Sequence, residues 1–232
     1  MSSLDFFADQ GKFTQGDFTY TVSAGKATLV AFNSDYEGGL IIPSSLGGCP
    51  VVAIGDGAFF ECRFLTSVEL PEGVTSLGNG AFSRCYALAS VKLPKGVVSI
   101  GEDAFFECRS LTSAKIPKGV TAIEFGTFCG CRSLTSVDIP EGVTTIDDVA
   151  FERCCSLASV KLPSSLASIG EEAFGDCDAL TSVVFLGRPC KPGRKIAIRG
   201  TGIYSAAYAV AWEAVLEADS TWRGLEMVCA EA

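Results

Sequence analysis

The chain has 232 residues and a net charge of −9, and 48% of its residues are hydrophobic. It therefore has the material for a continuous core and is not a disordered chain. The acidic balance argues against nucleic acid or an anionic membrane surface as partner, and the lack of histidine removes the commonest general base and zinc ligand together.

At the start, residues 1–10 lack the basic start and apolar run of a secretory signal. No stretch reaches the ~18 apolar residues that a membrane span needs. The sequence thus predicts a soluble chain with no visible export address and no membrane insertion.

From Val51 a 23-residue unit runs six times without insertion, as coils 51–73, 74–96, 97–119, 120–142, 143–165 and 166–188. Its pattern is V-x-x-I-G-x-x-A-F-x-x-C-x-x-L-x-S-V-x-L-P-x-G. Position 4 holds Ile54, Leu77, Ile100, Ile123, Ile146 and Ile169. Position 9 is phenylalanine in every coil: Phe59, Phe82, Phe105, Phe128, Phe151 and Phe174. The spacing by three in A-F-x-x-C-x-x-L predicts one or two helical turns.

Position 15 is always leucine, and positions 18 and 20 alternate Val or Ala with Leu, Ile or Phe, which predicts a short strand. Proline at position 21 (Pro71, Pro94, Pro117, Pro140, Pro163) ends it, because proline cannot donate to a ladder. One coil cannot bury these groups alone, but stacked coils can, each fully buried side chain contributing roughly 1.5–3 kcal/mol. At ~4.8 Å per strand, six coils give a sheet on the order of 30 Å long.

The run I-G-x-x-A-F-x-x-C-x-x-L-x-S-V-x-L-P, as in Ile100 to Pro117, closely resembles the BspA-like (TpLRR) class of leucine-rich repeats. The resemblance implies an α/β, β-rich, right-handed solenoid, with short strands on the concave side. It implies an N-terminal cap over 1–50, with a β-hairpin at 17–32 and a degenerate first strand at 39–43. It implies a C-terminal cap over 189–232, with a helix from Ser205 as N-cap to Asp219 that faces Tyr208, Trp212 and Val215 inward. Where the family reads Val-Pro after the tyrosine, this chain reads Tyr204-Ser205-Ala206. Caps and coils are expected to form one cooperative domain and a monomer. By the same resemblance the chain is a surface-exposed or secreted, adhesin-like protein, while the missing export signal keeps the cytoplasm open.

Six cysteines, Cys62, Cys85, Cys108, Cys131, Cys154 and Cys177, occupy position 12 and read as a buried ladder of small thiols. Neighbouring Cβ atoms at ~4.8 Å are too far apart for the ~3.8 Å of a disulfide. Cys49, Cys129, Cys155, Cys190 and Cys229 stand outside the ladder, and their spacing lacks the C-x-x-C of a zinc site. No phosphate loop or nucleophile motif is present, and Gly55-Asp56-Gly57 and Gly200-Thr201-Gly202 read as turns. No cofactor, metal or catalytic site is expected.

The exposed strand positions remain. Position 17 is serine in every coil; position 19 reads Glu69, Lys92, Lys115, Asp138, Lys161, Val184, and position 22 reads Glu72, Lys95, Lys118, Glu141, Ser164, Gly187. Lys92, Lys95, Lys115 and Lys118 fall together on an otherwise acidic chain. Two readings stand: docking of an acidic protein loop or anionic glycan across coils 2 and 3, or solubility charge with Glu69–Lys92 and Asp138–Lys161 as cross-strand pairs. The expected partner-binding residues are Glu69, Lys92, Lys95, Lys115, Lys118, Asp138 and Lys161. A further basic run, Arg188, Lys191, Arg194, Lys195 and Arg199, is expected to pair with Glu213 and Glu217 as a polar lid on the last coil, with a second docking point as the alternative. The function these features predict is a non-catalytic binding scaffold for a protein or glycan, with an intracellular structural or assembly module as the alternative.

Overall fold

The computed structural model describes residues 11–187 and the strands over 191–192, 200–205 and 225–230. The N-terminal cap is an antiparallel meander of β1 (Lys12–Gln15), β2 (Phe18–Ser23) and β3 (Lys26–Phe32), so the expected hairpin is present with one strand more. Then come β4 (Gly38–Ile41), β5 (Ser45–Leu46) and β6 (Cys49–Ile54). Beyond them the chain alternates between two walls: β7 (Leu65–Glu69), β8 (Ser76–Leu77), β9 (Ser90–Lys92), β10 (Ser99–Ile100), β11 (Ser113–Lys115), β12 (Ala122–Ile123), β13 (Ser136–Asp138) and β14 (Thr145–Ile146). The alternation continues with β15 (Ser159–Leu162), β16 (Ser168–Ile169), β17 (Ser182–Phe185), β18 (Lys191–Pro192), β19 (Gly200–Ser205) and β20 (Leu225–Ala230).

The first wall, formed by repeat positions 17–20, is concave and parallel, running β4-β7-β9, then β11-β13, then β15-β17-β19-β20. The second wall takes positions 3 and 4, in the order β3-β6-β8-β10 and then β12-β14-β16-β18. The strand ladders are interrupted between β9 and β11 and between β13 and β15 on the first wall, and between β10 and β12 on the second.

The third, convex wall differs from the helical turns that the spacing predicts. Among the described residues there is no helix. Instead the N–H groups of positions 7, 9 and 11 donate to the carbonyls of positions 6, 8 and 10 in the next coil, as Gly57 to Asn79, Phe59 to Ala81 and Glu61 to Ser83 at 2.8–2.9 Å. This set recurs at every junction from coil 1 to coil 6, including those where a strand ladder is interrupted. Intervening N–H groups close four-residue turns, such as Ala58 to Gly55 and Cys62 to Phe59. The geometry requires left-handed backbone at two positions. Position 7 has φ of +49 to +60° at Gly57, Gly80, Asp103, Gly126, Val149 and Glu172. Position 11 has +53 to +75° at Glu61, Arg84, Glu107, Gly130, Arg153 and Asp176. Two such residues per turn break any helix, and the N–H groups spent on the neighbouring coil are unavailable to one.

Inside, the six phenylalanines form one stack with ring centroids 4.8–5.5 Å apart and planes within 11° of parallel. Phe32 of the cap extends it, 5.1 Å from Phe59. All six are fully buried, and such pairs add ~0.5–1.5 kcal/mol beyond area burial. The position-12 cysteines are buried and free. From coil 2 onward each Sγ donates to the position-9 carbonyl of the preceding coil, as Cys85 to Phe59 (3.0 Å) and Cys108 to Phe82 (3.1 Å), while Cys62 points to the Asn33 carbonyl of the cap. The thiol is thus a hydrogen-bond donor as well as a filler, serving carbonyls that face the core.

At the C-terminus the expectation that the stack ends with coil 6 is corrected. β18 and β19 pair with β16 and β17, adding a further turn. That turn is short: Thr201 lies opposite Ser182, nineteen residues on (201 − 182) instead of 23. Ser205, expected as a helix N-cap, is the last residue of β19, and the rest of the expected helix, with Tyr208, Trp212 and Val215, lies outside the described residues.

Candidate interaction face

The alternation of the first wall turns positions 18 and 20 inward and positions 17 and 19 outward. Val68, Leu70, Val160 and Leu162 are buried, while Ser90, Ser113, Ser136 and Ser159 are exposed. In-register pairing, Ser67 with Ser90, Ser113 with Ser136 and Ser159 with Ser182, lines the hydroxyls up in a row. At the N-terminal end Gly39, in register with Ser67, continues that row.

Ile41 pairs with Glu69 and so heads the position-19 column, 75% exposed. Two shallow grooves lie along the face. One, of about 470 Å³, is lined by Gly39, Ile41, Ser67, Glu69, Ser90 and Lys92 among others. The second, of about 440 Å³, is lined by Ser113, Lys115, Ser136, Asp138, Ser159 and Lys161 among others.

The expected partner-binding residues all lie in coils 1–5, but the charges sort differently from the sequence expectation. Lys92 Nζ meets Glu69 Oε1 at 2.5 Å, the cross-strand pair predicted, and this carboxylate raises the Lys92 pKa. Asp138 pairs with Lys115, at 3.9 Å, instead of with Lys161. Lys92 therefore leans toward coil 1 and Lys115 toward coil 4, dividing the four-lysine cluster over the interruption between β9 and β11. Leaning apart relieves the repulsion of neighbouring like charges. Both pairs are well exposed, so solvent screens them and they add little to stability. Lys95, Lys118 and Lys161 are exposed, with no ion pair within 4 Å among the described residues.

A second arrangement escaped the sequence reading. Within residues 51–187 every lysine occupies position 19 or 22, and every arginine (Arg63, Arg84, Arg109, Arg132, Arg153) occupies position 11 or 13, beyond the convex turn. There Glu61 binds Arg63 (2.9 Å) and Arg84 (3.1 Å), which holds its carboxyl below the usual range. Arg109 pairs with Glu107, and the guanidinium carbons of Arg63 and Arg109 lie 5.7 and 4.6 Å from the Tyr86 ring centre. Planar guanidinium suits stacking and forked pairing, whereas lysine does not. Tabulating cation type against repeat position would have revealed the partition.

Burial pushes the Cys108 and Cys131 thiols far above their ordinary range. Burial, and then Glu152 beside it, pushes Cys129 up to about 12. Such thiols are poor nucleophiles. Among the described residues no group of three or more Cys, Asp or Glu side chains is placed to hold a metal ion, and no helix is long and apolar enough to cross a membrane. Of the basic run, Lys191 lies in β18; Arg188, Arg194, Lys195, Arg199, Glu213 and Glu217 lie outside the described residues.

Residues 52–185 match the BspA type leucine-rich repeat region in six copies. No curated protein sequence matches the chain. Among solved structures the chain is similar to a leucine rich cell surface protein of Faecalibacterium prausnitzii, at 24% identity and a TM-score of 0.59 over 85% of this chain and 71% of that one. It is also similar to the leucine-rich repeat protein of T. pallidum, at 23% identity and a TM-score of 0.56 over 94% of this chain and 100% of that one. These likenesses support the fold.

Proposed function

The chain belongs to the BspA-type leucine-rich repeat family, and from that premise we propose that it is a non-catalytic binding scaffold that holds a protein or an anionic glycan against its concave sheet. The observation that carries this reading is the concave face itself, where in-register rows of exposed serine and charged side chains stand on a close-packed floor. Among the described residues the buried side chains are apolar apart from the thiols, Tyr20, Ser83 and Thr127. Chemical variety sits at outward strand positions while the inward ones repeat, the division of labour of a solenoid that recognises by its surface. Contacts would come from the serine row and from Glu69, Lys92, Lys95, Lys115, Lys118, Asp138 and Lys161. The cell surface is the proposed setting, a description that the F. prausnitzii protein carries.

The test is a binding array of matrix proteins and sulfated glycans, probed with the native chain and with the double variant Lys92→Glu/Lys115→Glu. Saturable binding that weakens about tenfold or more in the variant supports the reading. Binding unchanged by the reversal removes these lysines from the site, and no binding to any component moves the reading to an assembly module.

A further inference from the structure

The two walls end differently at the N-terminus. The meander β1-β2-β3 covers the second wall, because β3 pairs with β6. Nothing comparable covers the first: among the described residues β4 pairs only with β7. Gly38 N–H donates to Phe64 and Ile42 N–H to Glu69. By alternation the backbone groups of Gly39 and Ile41 point the other way, toward the open edge. One of them, the Gly39 carbonyl, accepts the Tyr36 hydroxyl at 2.9 Å and keeps its second lone pair.

Edges of this kind are ordinarily guarded by charge, proline or a covering segment. Here the strand reads Gly38-Gly39-Leu40-Ile41, with no charged residue. Exposed apolar groups gather at the same end. Ile41 is 75% exposed, Phe64 54% and Phe60 49%. Phe64 stands at position 14, where the other coils carry Ala87, Ser110, Ser133, Ser156 and Ala179.

We infer that this end is a self-association surface, in which β4 pairs antiparallel with β4 of a second copy about a two-fold axis near Leu40. The strand is self-complementary for that pairing. Gly39 of one copy lies opposite Ile41 of the other, both expose backbone groups toward the edge, and such opposed residues exchange two hydrogen bonds. The bare Gly39 leaves room for the isoleucine side chain that faces it, on the same side of the sheet. The contact is isologous and closes at two, joining the concave sheets of both copies into one surface. Phe64, which immediately precedes β7 and accepts the Gly38 N–H at the start of β4, flanks the seam.

The experiment is analytical ultracentrifugation of the full chain up to about 1 mM, beside hydrogen exchange of the 38–42 amides, with Ile41→Lys and Phe64→Ser as variants. Both side chains are exposed, so thermal melting should match the native chain. The expected result is a dimer whose dissociation constant rises about tenfold or more in each variant, with the 39 and 41 amides protected only at high concentration. A chain monomeric throughout overturns the inference, as does a dimer indifferent to both variants. Protection of these amides solely on adding another protein also overturns it, assigning the edge to a foreign strand. No outcome depends on a ligand for the concave face, so this surface and the binding scaffold stand or fall separately.

Discussion

Phe105 sits in the middle of the ring stack, 5.5 Å from Phe82 and 5.4 Å from Phe128, and is fully buried. Phe105→Leu keeps an apolar side chain of similar bulk, so most of its transfer free energy survives. It removes two ring–ring contacts, worth together ~1–3 kcal/mol, and leaves a shape mismatch of up to ~1.5 kcal/mol. A loss of ~2–3 kcal/mol is therefore expected, a sizeable part of the ~5–15 kcal/mol that holds a typical domain together. Urea unfolding followed by far-ultraviolet circular dichroism, with m monitored for loss of cooperativity, reads it. The cycle with Phe128→Leu isolates the stack, since the double variant should recover ~0.5–1.5 kcal/mol of coupling. Additivity within ~0.3 kcal/mol would mean that the rings contribute through burial alone, and would refute stacking as a separate term.

At Val149, a β-branched residue at φ +49°, glycine should be more stable than alanine by ~1 kcal/mol, reversing the usual order, because the left-handed cost of ~1–2 kcal/mol exceeds glycine's entropy cost; chemical denaturation of Val149→Gly and Val149→Ala decides it. Burial, and then Glu102, raises the Asp103 pKa, so protonation favours the folded chain. Asp103→Asn should then be more stable than the native chain at neutral pH, with the difference closing as pH falls through the carboxylate range; melts across that range measure it. Alkylation at pH 8 with peptide mass mapping should label Cys49 and Cys155 in the folded chain, leaving the buried position-12 thiols and Cys129 for the unfolded one. Cys108→Ala should cost ~1–3 kcal/mol, since it removes the Phe82 carbonyl's thiol donor, leaving that carbonyl the Cys85 N–H, and opens a small void.

The columns at positions 4, 9, 15, 18 and 20 were legible because burial selects the same residue type in every coil, and the first wall follows from their alternation. The convex wall was not. Apolar spacing by three suits a helical turn and a series of tight turns equally, and what separates them is left-handed backbone at positions 7 and 11. Residues as different as Gly57, Val149 and Glu172 adopt it there, so no residue type announces it. The extra turn after coil 6 was hidden because its spacing is shorter and the repeat pattern lapses. On the candidate face, the Glu69–Lys92 pair could be read from adjacency alone. Asp138, however, has a lysine on each side, and choosing Lys115 over Lys161 depends on side-chain directions that a pattern cannot supply. The exposed Ile41 escaped notice for another reason: it lies in the degenerate first strand, outside the six aligned coils.

Recognition through the concave wall is tested most directly by blocking that wall without altering its charge. Ser113 is exposed in the middle of the face, and Thr121 is exposed beside the second wall. The affinity of Ser113→Trp and of Thr121→Trp for any array component that the native chain binds can be measured by surface plasmon resonance. Binding lost in Ser113→Trp and kept in Thr121→Trp is the predicted result. Native affinity in Ser113→Trp, or an equal loss in both variants, would contradict the account.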